Sequence, residues 1–266
     1  MATVKRDDGA DIWWESHGPK RRQAVVLVTG LGYPAAMWWR QLPALTSAHR
    51  VILLDNRGAG RTGDVVGAPY TIEMMAADVI AVIEASGEER VHLAGLSMGG
   101  MIAQEVALTR PDLVQSLVLM STHPGVRHAT FEPAALNMLR RRGSVTAQVA
   151  AELAIPFNYA AATPRAAIEE DWAVRLPLAA SPAGYLAQVR GGAAWSSLAR
   201  LATLEPPTLV LHGADDRLVP PVNGERVATA IPGAVHIRID NANHILTTDQ
   251  TDEVNGLLLA WFEKFS

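Results

Sequence analysis

The chain has 266 residues, 49% of them hydrophobic and 19% charged, with a net charge of −4. Those values suit a folded globular protein and leave no basic field for nucleic acid or an anionic membrane. The absence of cysteine excludes disulfides, thiol catalysis and cysteine-ligated metals.

Residues 1–10 carry charges and lack the apolar stretch of a signal peptide. No apolar run reaches the ~20 residues of a membrane span, so a soluble, cytoplasmic protein is expected. Residues 12–16 read as an opening strand, and residues 24–28 form a short, continuous apolar run of the buried-strand type. Thr29-Gly30-Leu31-Gly32-Tyr33 follows, a glycine-rich loop able to aim backbone amides into a cavity. Met37-Trp38-Trp39 opens a helix, with one tryptophan expected in the core. Residues 50–54 form another strand, closed by Asp55-Asn56-Arg57-Gly58-Ala59-Gly60-Arg61. Neither phosphate-loop spacing occurs there, so a structural turn with a satisfied Asp–Arg pair is expected. Thr71 is placed to cap a helix running to Ser86, with Gly87 as its terminator.

Residues 91–94 then lead into Gly95-Leu96-Ser97-Met98-Gly99-Gly100, and a helix over 98–110 stops at Pro111. The Gly-x-Ser-x-Gly spacing forces a sharp strand-to-helix turn. A serine there is held in a strained backbone conformation, and its hydroxyl projects at the carboxyl end of a sheet. The Met98 amide falls in the first turn of the helix, where N–H groups have no internal partner and the dipole favours negative charge. A nucleophile beside a ready anion site is what acyl transfer needs. The Leu31 amide is expected to face that of Met98 as the second half of an oxyanion hole.

Strand 114–120 continues an alternation that argues for a parallel sheet with helices on both faces. The pattern then changes. Residues 124–201 have helical spacing and no convincing strand, and Pro133, Pro156, Pro164, Pro177 and Pro182 are expected to cut them into short helices. Arg140-Arg141-Arg142 suggests an acidic-substrate site, but such a run is more often a solvated helix C-terminus. Alternation resumes with strand 208–212, helix 223–230, a half-exposed edge strand over 234–239 and a final helix over 248–265. The expected organisation is therefore a core of 1–123 and 202–266, interrupted by a helical cap over 124–201.

Serine is a poor nucleophile without a base to take its proton and a carboxylate to orient that base. Of eight histidines, His236 is expected to be solvated, His92 and His212 to pack within strands, and His17, His49, His123 and His128 lack a distinguishing context. His244 lies in the loop after the last strand, on the sheet edge that carries Ser97. For the acid, Asp216 stands three residues after Gly213, enough chain to turn toward the histidine, whereas Asp215 better suits a turn or cap.

Five stretches carry a family resemblance: residues 28–32, 55–62, 95–100, 212–216 with Val219-Pro220, and Asn243-His244. Over essentially its full length the chain resembles an α/β-hydrolase-fold serine hydrolase, and within that group the compact, helical-capped esterases, enol-lactonases and perhydrolases. The resemblance implies a mostly parallel central sheet with an inserted cap. It also implies Ser97 as nucleophile, His244 as base, Asp216 as orienting acid, and Leu31 and Met98 as oxyanion amides. Two departures stand out. Thr29-Gly30 replaces the family's His-Gly, and Asn241-Ala242-Asn243 replaces a Gly-x-Gly before the histidine.

The expected reaction is hydrolysis of a small, largely apolar carboxylic ester or lactone, with no cofactor or metal and no nucleic-acid or membrane partner. Cleavage of a C–C bond or perhydrolysis by the same triad is an alternative, as is a non-catalytic ligand-binding protein on this fold. Tyr33, Trp38 and Met98 are expected to line the pocket. Phe131, Phe157, Trp172, Tyr185 and Trp195 are further candidates from the cap, although any one of them is more often cap core.

Overall fold

The computed structural model describes residues 2–65 and 69–266. Eight strands among these form one sheet: β1 (Ala2–Lys5), β2 (Asp11–His17), β3 (Ala24–Val28), β4 (Arg50–Leu54), β5 (Val91–Leu96), β6 (Val114–Met120), β7 (Thr208–Gly213) and β8 (Val235–Ile239). Their spatial order is β1-β2-β4-β3-β5-β6-β7-β8. The β1–β2 and β2–β4 pairs are antiparallel and all later pairs are parallel. Strand β1 pairs through residues whose charges and turn conceal it in the sequence.

Side-chain alternation divides the core into two layers. Val26, Val28, Leu93, Leu117 and Leu119 face one layer, which holds α2 (Ile72–Ser86) and α3 (Met98–Thr109). Val25, Leu27, Leu96, Val118 and Leu211 face the other, with Leu45 of α1 (Leu42–Thr46) and Leu258 and Phe262 of the C-terminal helix. Helix α2 has its expected ends. Thr71 Oγ1 accepts from the Met74 amide at 3.2 Å, and Gly87 adopts φ 78°. The helix expected at Met37 is instead a 3-10 turn, Ala35–Arg40, followed by α1.

Between β6 and β7 lie α4 (Pro133–Arg142), α5 (Ala147–Asn158), α6 (Arg165–Arg175) and α7 (Pro182–Gly192). Pro133 and Pro182 open helices, and Pro164 precedes one, as the breaks require. Pro156 does not break its segment. It sits inside the last turn of α5, where only the helix end can be disturbed, and Tyr159 N–H still reaches Ile155 O at 3.0 Å. Ala135, Met138 and Ala154 of these helices pack on Leu218 and Val219, while Ile168 and Trp172 pack on Ile245. The four helices thus rest on loops at the carboxyl ends of the parallel strands. After β8 the final helix is split into α9 (Leu246–Asp249) and α10 (Thr251–Lys264), preceded by α8 (Val222–Ala230) between β7 and β8.

Candidate active site

Strand β5 ends at Leu96 and α3 begins at Met98, so Ser97 is the entire connection. Its φ of 57° and ψ of −119° lie outside the ordinary regions for a side-chain-bearing residue. The flanking glycines permit this turn because backbone crowds it. A Cβ on Gly95 would lie 2.2 Å from Gly99 O, and one on Gly99 would lie 2.2 Å from Val28 O. Ser97 is further held by its own amide to Met120 O at 2.8 Å and by Thr122 Oγ1 to its carbonyl at 2.7 Å.

His244 is 2% exposed, and its Nδ1 lies 2.9 Å from Asp216 Oδ2. That contact puts the proton on Nδ1 and leaves Nε2 as the basic nitrogen. Asp216 Oδ1 accepts from the Leu218 and Val219 amides at 2.9 and 2.8 Å. Burial alone would push this carboxyl up. The charge of His244 and hydrogen bonds from His212 and His244 outweigh it and hold the group down at about 2.

His212 is a member of this cluster that its strand position concealed. It packs within β7 as expected, but its Nε2 sits 2.7 Å from Val219 O and 3.3 Å from Asp216 Oδ2. Asn243 also does more than tolerate a turn. Its Oδ1 accepts from the Arg217 and His244 amides, its Nδ2 donates to Tyr159 O at 2.9 Å, and its own amide donates to Asp249. The left-handed residue of that loop is Asn241, at φ 53°. Thr29, at the other departure, accepts from Asn56 Nδ2 through both its carbonyl and hydroxyl.

The loop after β3 and the 3-10 turn that follows it are each braced. Gly32 N–H donates to Gln188 Oε1 of α7 at 2.8 Å, and Gln188 Nε2 donates to Arg57 O at 2.6 Å. Asp55 accepts from the Ala35 amide at 2.5 Å and the Arg61 amide at 2.8 Å. The turn after β4 is therefore structural, and its Arg57 pairs with Asp78 and Asp8. Met98 opens α3, so its N–H has no intrahelical acceptor.

Ser97, His244, Leu31 and Met98 line one cavity of about 400 Å³, together with Tyr33, Phe131 and Tyr185. The other expected lining aromatics stand elsewhere. Trp38 is fully buried in the core beneath the sheet, because its side chain turns inward from the 3-10 turn. Phe157 packs against the Leu218 cluster beneath Arg217, whose guanidinium is 5.3 Å from its ring centre. Trp195 is buried and donates to Glu105 Oε2 at 2.7 Å. Trp172 lines a second, smaller cavity of about 170 Å³. His123, given no role by its sequence context, is in the main wall, edge-on to Phe131, and burial lowers it to about 4. Arg140 and Arg141 are exposed in the last turn of α4, the solvated helix end expected, although Arg140 also borders that wall and Arg142 is half-buried in it.

The family described as alpha/beta hydrolase fold matches residues 23–249. The chain is 34% identical over 264 residues to RutD of Variovorax paradoxus, a protein provisionally named a carbamate hydrolase, covering 96% of this chain and 97% of that one. It is 30% identical over 246 residues to BpoC of Mycobacterium tuberculosis, provisionally named a non-heme bromoperoxidase, covering 90% and 93%. A thermophilic esterase from Thermogutta terrifontis superposes with a TM-score of 0.85 at 29% identity, over 100% of this chain and 99% of that one. Likeness this extensive, on a sheet of this order, means that the chain belongs to the α/β-hydrolase family and is an enzyme of it.

Proposed function

We propose that this enzyme hydrolyses a small carboxylic ester or lactone through an acyl-enzyme on Ser97. One observation carries the reading: a strained serine shares a mainly apolar cavity with a histidine that is hydrogen-bonded to a buried aspartate. His244 Nε2 takes the Ser97 proton as Oγ attacks the acyl carbon, and the imidazolium that forms is stabilised by Asp216. The Leu31 and Met98 amides receive the oxyanion, a contribution on the order of 10²-fold or more per donor. Collapse expels the alcohol, which takes its proton from His244, and water then repeats the sequence to release the acid.

Helices α4–α7 act as a cap that shapes the substrate space, since they supply Leu136, Leu139, Leu186 and Val189 to the cavity wall. A second reading, peroxide-dependent chemistry by the same groups, rests on the likeness to the protein provisionally named a bromoperoxidase. Carbamates stand beside esters on the likeness to RutD, because the same attack on an acyl carbon serves both.

The deciding experiment compares wild type with Ser97→Ala on short-chain p-nitrophenyl esters. A loss on the order of 10³-fold or more is expected. Equal turnover by the two proteins overturns the assignment. Peroxide-dependent halogenation without ester cleavage would favour the second reading.

A further inference from the structure

The charge inside the cavity differs from that of the chain. The protein carries a net −4. Yet among the described residues no carboxylate lines either the Ser97 cavity or the smaller one beside it. Arginines stand there instead. Arg140 and Arg142 line the first cavity, and Arg142 and Arg175 line the second. Tyr33, Arg142 and Tyr185 form a wall common to both.

The arginines differ in how they are balanced. Arg175 is 4% exposed and donates through Nε to Asp171 O and through Nη2 to the Tyr159 hydroxyl, with Asp171 Oδ2 at 3.8 Å. Its Nη1 makes no hydrogen bond among the described residues. Asp171 is already shared, accepting from Arg40, Trp39, Tyr159 and Thr248. Arg142 has no carboxylate within ion-pair distance among the described residues, and its Nε is buried without a partner. Its guanidinium lies 5.5 Å from the Tyr33 ring centre and 5.1 Å from that of Tyr185. A buried donor with no acceptor, such as Arg142 Nε, is costly, and an anion is the group that relieves it. Asp64, the partner of Ser181 in the wall of the second cavity, is engaged by that hydroxyl at 2.7 Å.

The geometry points to a carboxylate-binding subsite formed by Arg142 and Arg175 around Tyr33, which holds the non-reacting end of the substrate. The substrate class is thereby narrowed to half-esters or lactones that carry a free carboxylate away from the scissile bond. This rests on the proposed ester hydrolysis at Ser97. A planar carboxylate suits the fork of a guanidinium, and the small volume and alkyl walls of the second cavity (Ala150, Ala151, Leu176) admit a short acidic tail.

The test compares p-nitrophenyl hydrogen glutarate with the neutral p-nitrophenyl valerate. Wild type should favour the anionic ester. In Arg142→Gln the ratio of kcat/KM values, anionic over neutral, should fall about tenfold or more, chiefly through KM, and Arg142→Lys should recover part of it. An unchanged ratio in Arg142→Gln overturns the subsite and assigns that arginine to packing against Tyr33. Calorimetric titration of the Ser97→Ala protein with monomethyl and dimethyl glutarate separates the two proposals. Tighter binding of the monomethyl ester supports the subsite even if wild type cleaves neither ester, a result that would remove the hydrolase reading alone. Equal or absent binding of both overturns the subsite whatever the catalytic outcome.

Discussion

Asp216 gathers two histidines and two backbone amides onto one carboxylate, and that crowding defines its chemistry. Its folded value is depressed, to about 2. The stability it contributes is therefore present above the unfolded value near 4 and is lost as pH falls toward 2. At neutral pH it is an anion facing His244. Asp216→Asn keeps the shape but removes the charge, and it can present an N–H where His244 Nδ1 needs an acceptor. Ester turnover should fall about 10²- to 10⁴-fold while circular dichroism is unchanged. A folded variant that keeps even a tenth of the activity would take Asp216 out of the relay. His212 Nε2 lies 3.3 Å from the same oxygen and 2.7 Å from Val219 O.

The loop carrying His244 is fastened at its rear by Asp249 of α9. Asp249 Oδ2 accepts from Asn243 N–H at 2.7 Å and Ala160 N–H at 3.0 Å, and Oδ1 accepts from Thr163 at 2.6 Å. One carboxyl thus joins the loop after β8 to the segment after α5. Burial raises it to about 6, against the pull of those hydrogen bonds, with Asp171 adding repulsion. The sign follows from the raised value. Stability from this group is full below the unfolded value near 4 and is lost as pH rises through about 6. Urea unfolding should show wild type losing about 1 kcal/mol between pH 5 and pH 7 relative to Asp249→Asn. Parallel pH profiles for the two proteins would place the titrating group elsewhere.

At the scale of the molecule, loops at the strand ends hold Ser97 and His244, and α4 and α7 supply part of the facing wall. Leu136 and Leu139 come from α4 and Leu186 and Val189 from α7, so part of the apolar wall around Ser97 is on the inserted segment. Exchanging 124–201 for the corresponding segment of another capped hydrolase should change acyl chain-length preference, read as kcat/KM across p-nitrophenyl esters. Ser97 should stay reactive toward a fluorophosphonate probe. A chimera that labels normally with the original preference would show that the cap does not select substrate.

What the sequence determined by itself is local. Alternating and continuous apolar runs marked β3, β4, β5, β6 and β7, because their period follows from a backbone that turns each side chain to the opposite face. Thr71 and Gly87 marked the ends of α2, and Gly95-x-Ser97-x-Gly99 marked the turn at Ser97, since those conformations depend on residues a few positions apart. His244 and Asp216 were legible because strand ends at one sheet edge bring their loops together. The pocket wall was decided only by tertiary packing. Helical spacing tells which residues are apolar but not which of Trp38, Phe131, Phe157, Trp172 and Trp195 meets a cavity and which meets a neighbouring helix. The same holds for Gln188, which reaches Gly32 across 156 residues, and for Arg142, whose place beside Tyr33 depends on how α4 lies over the sheet. Such contacts join parts of the chain with no shared period, so nothing along the backbone announces them.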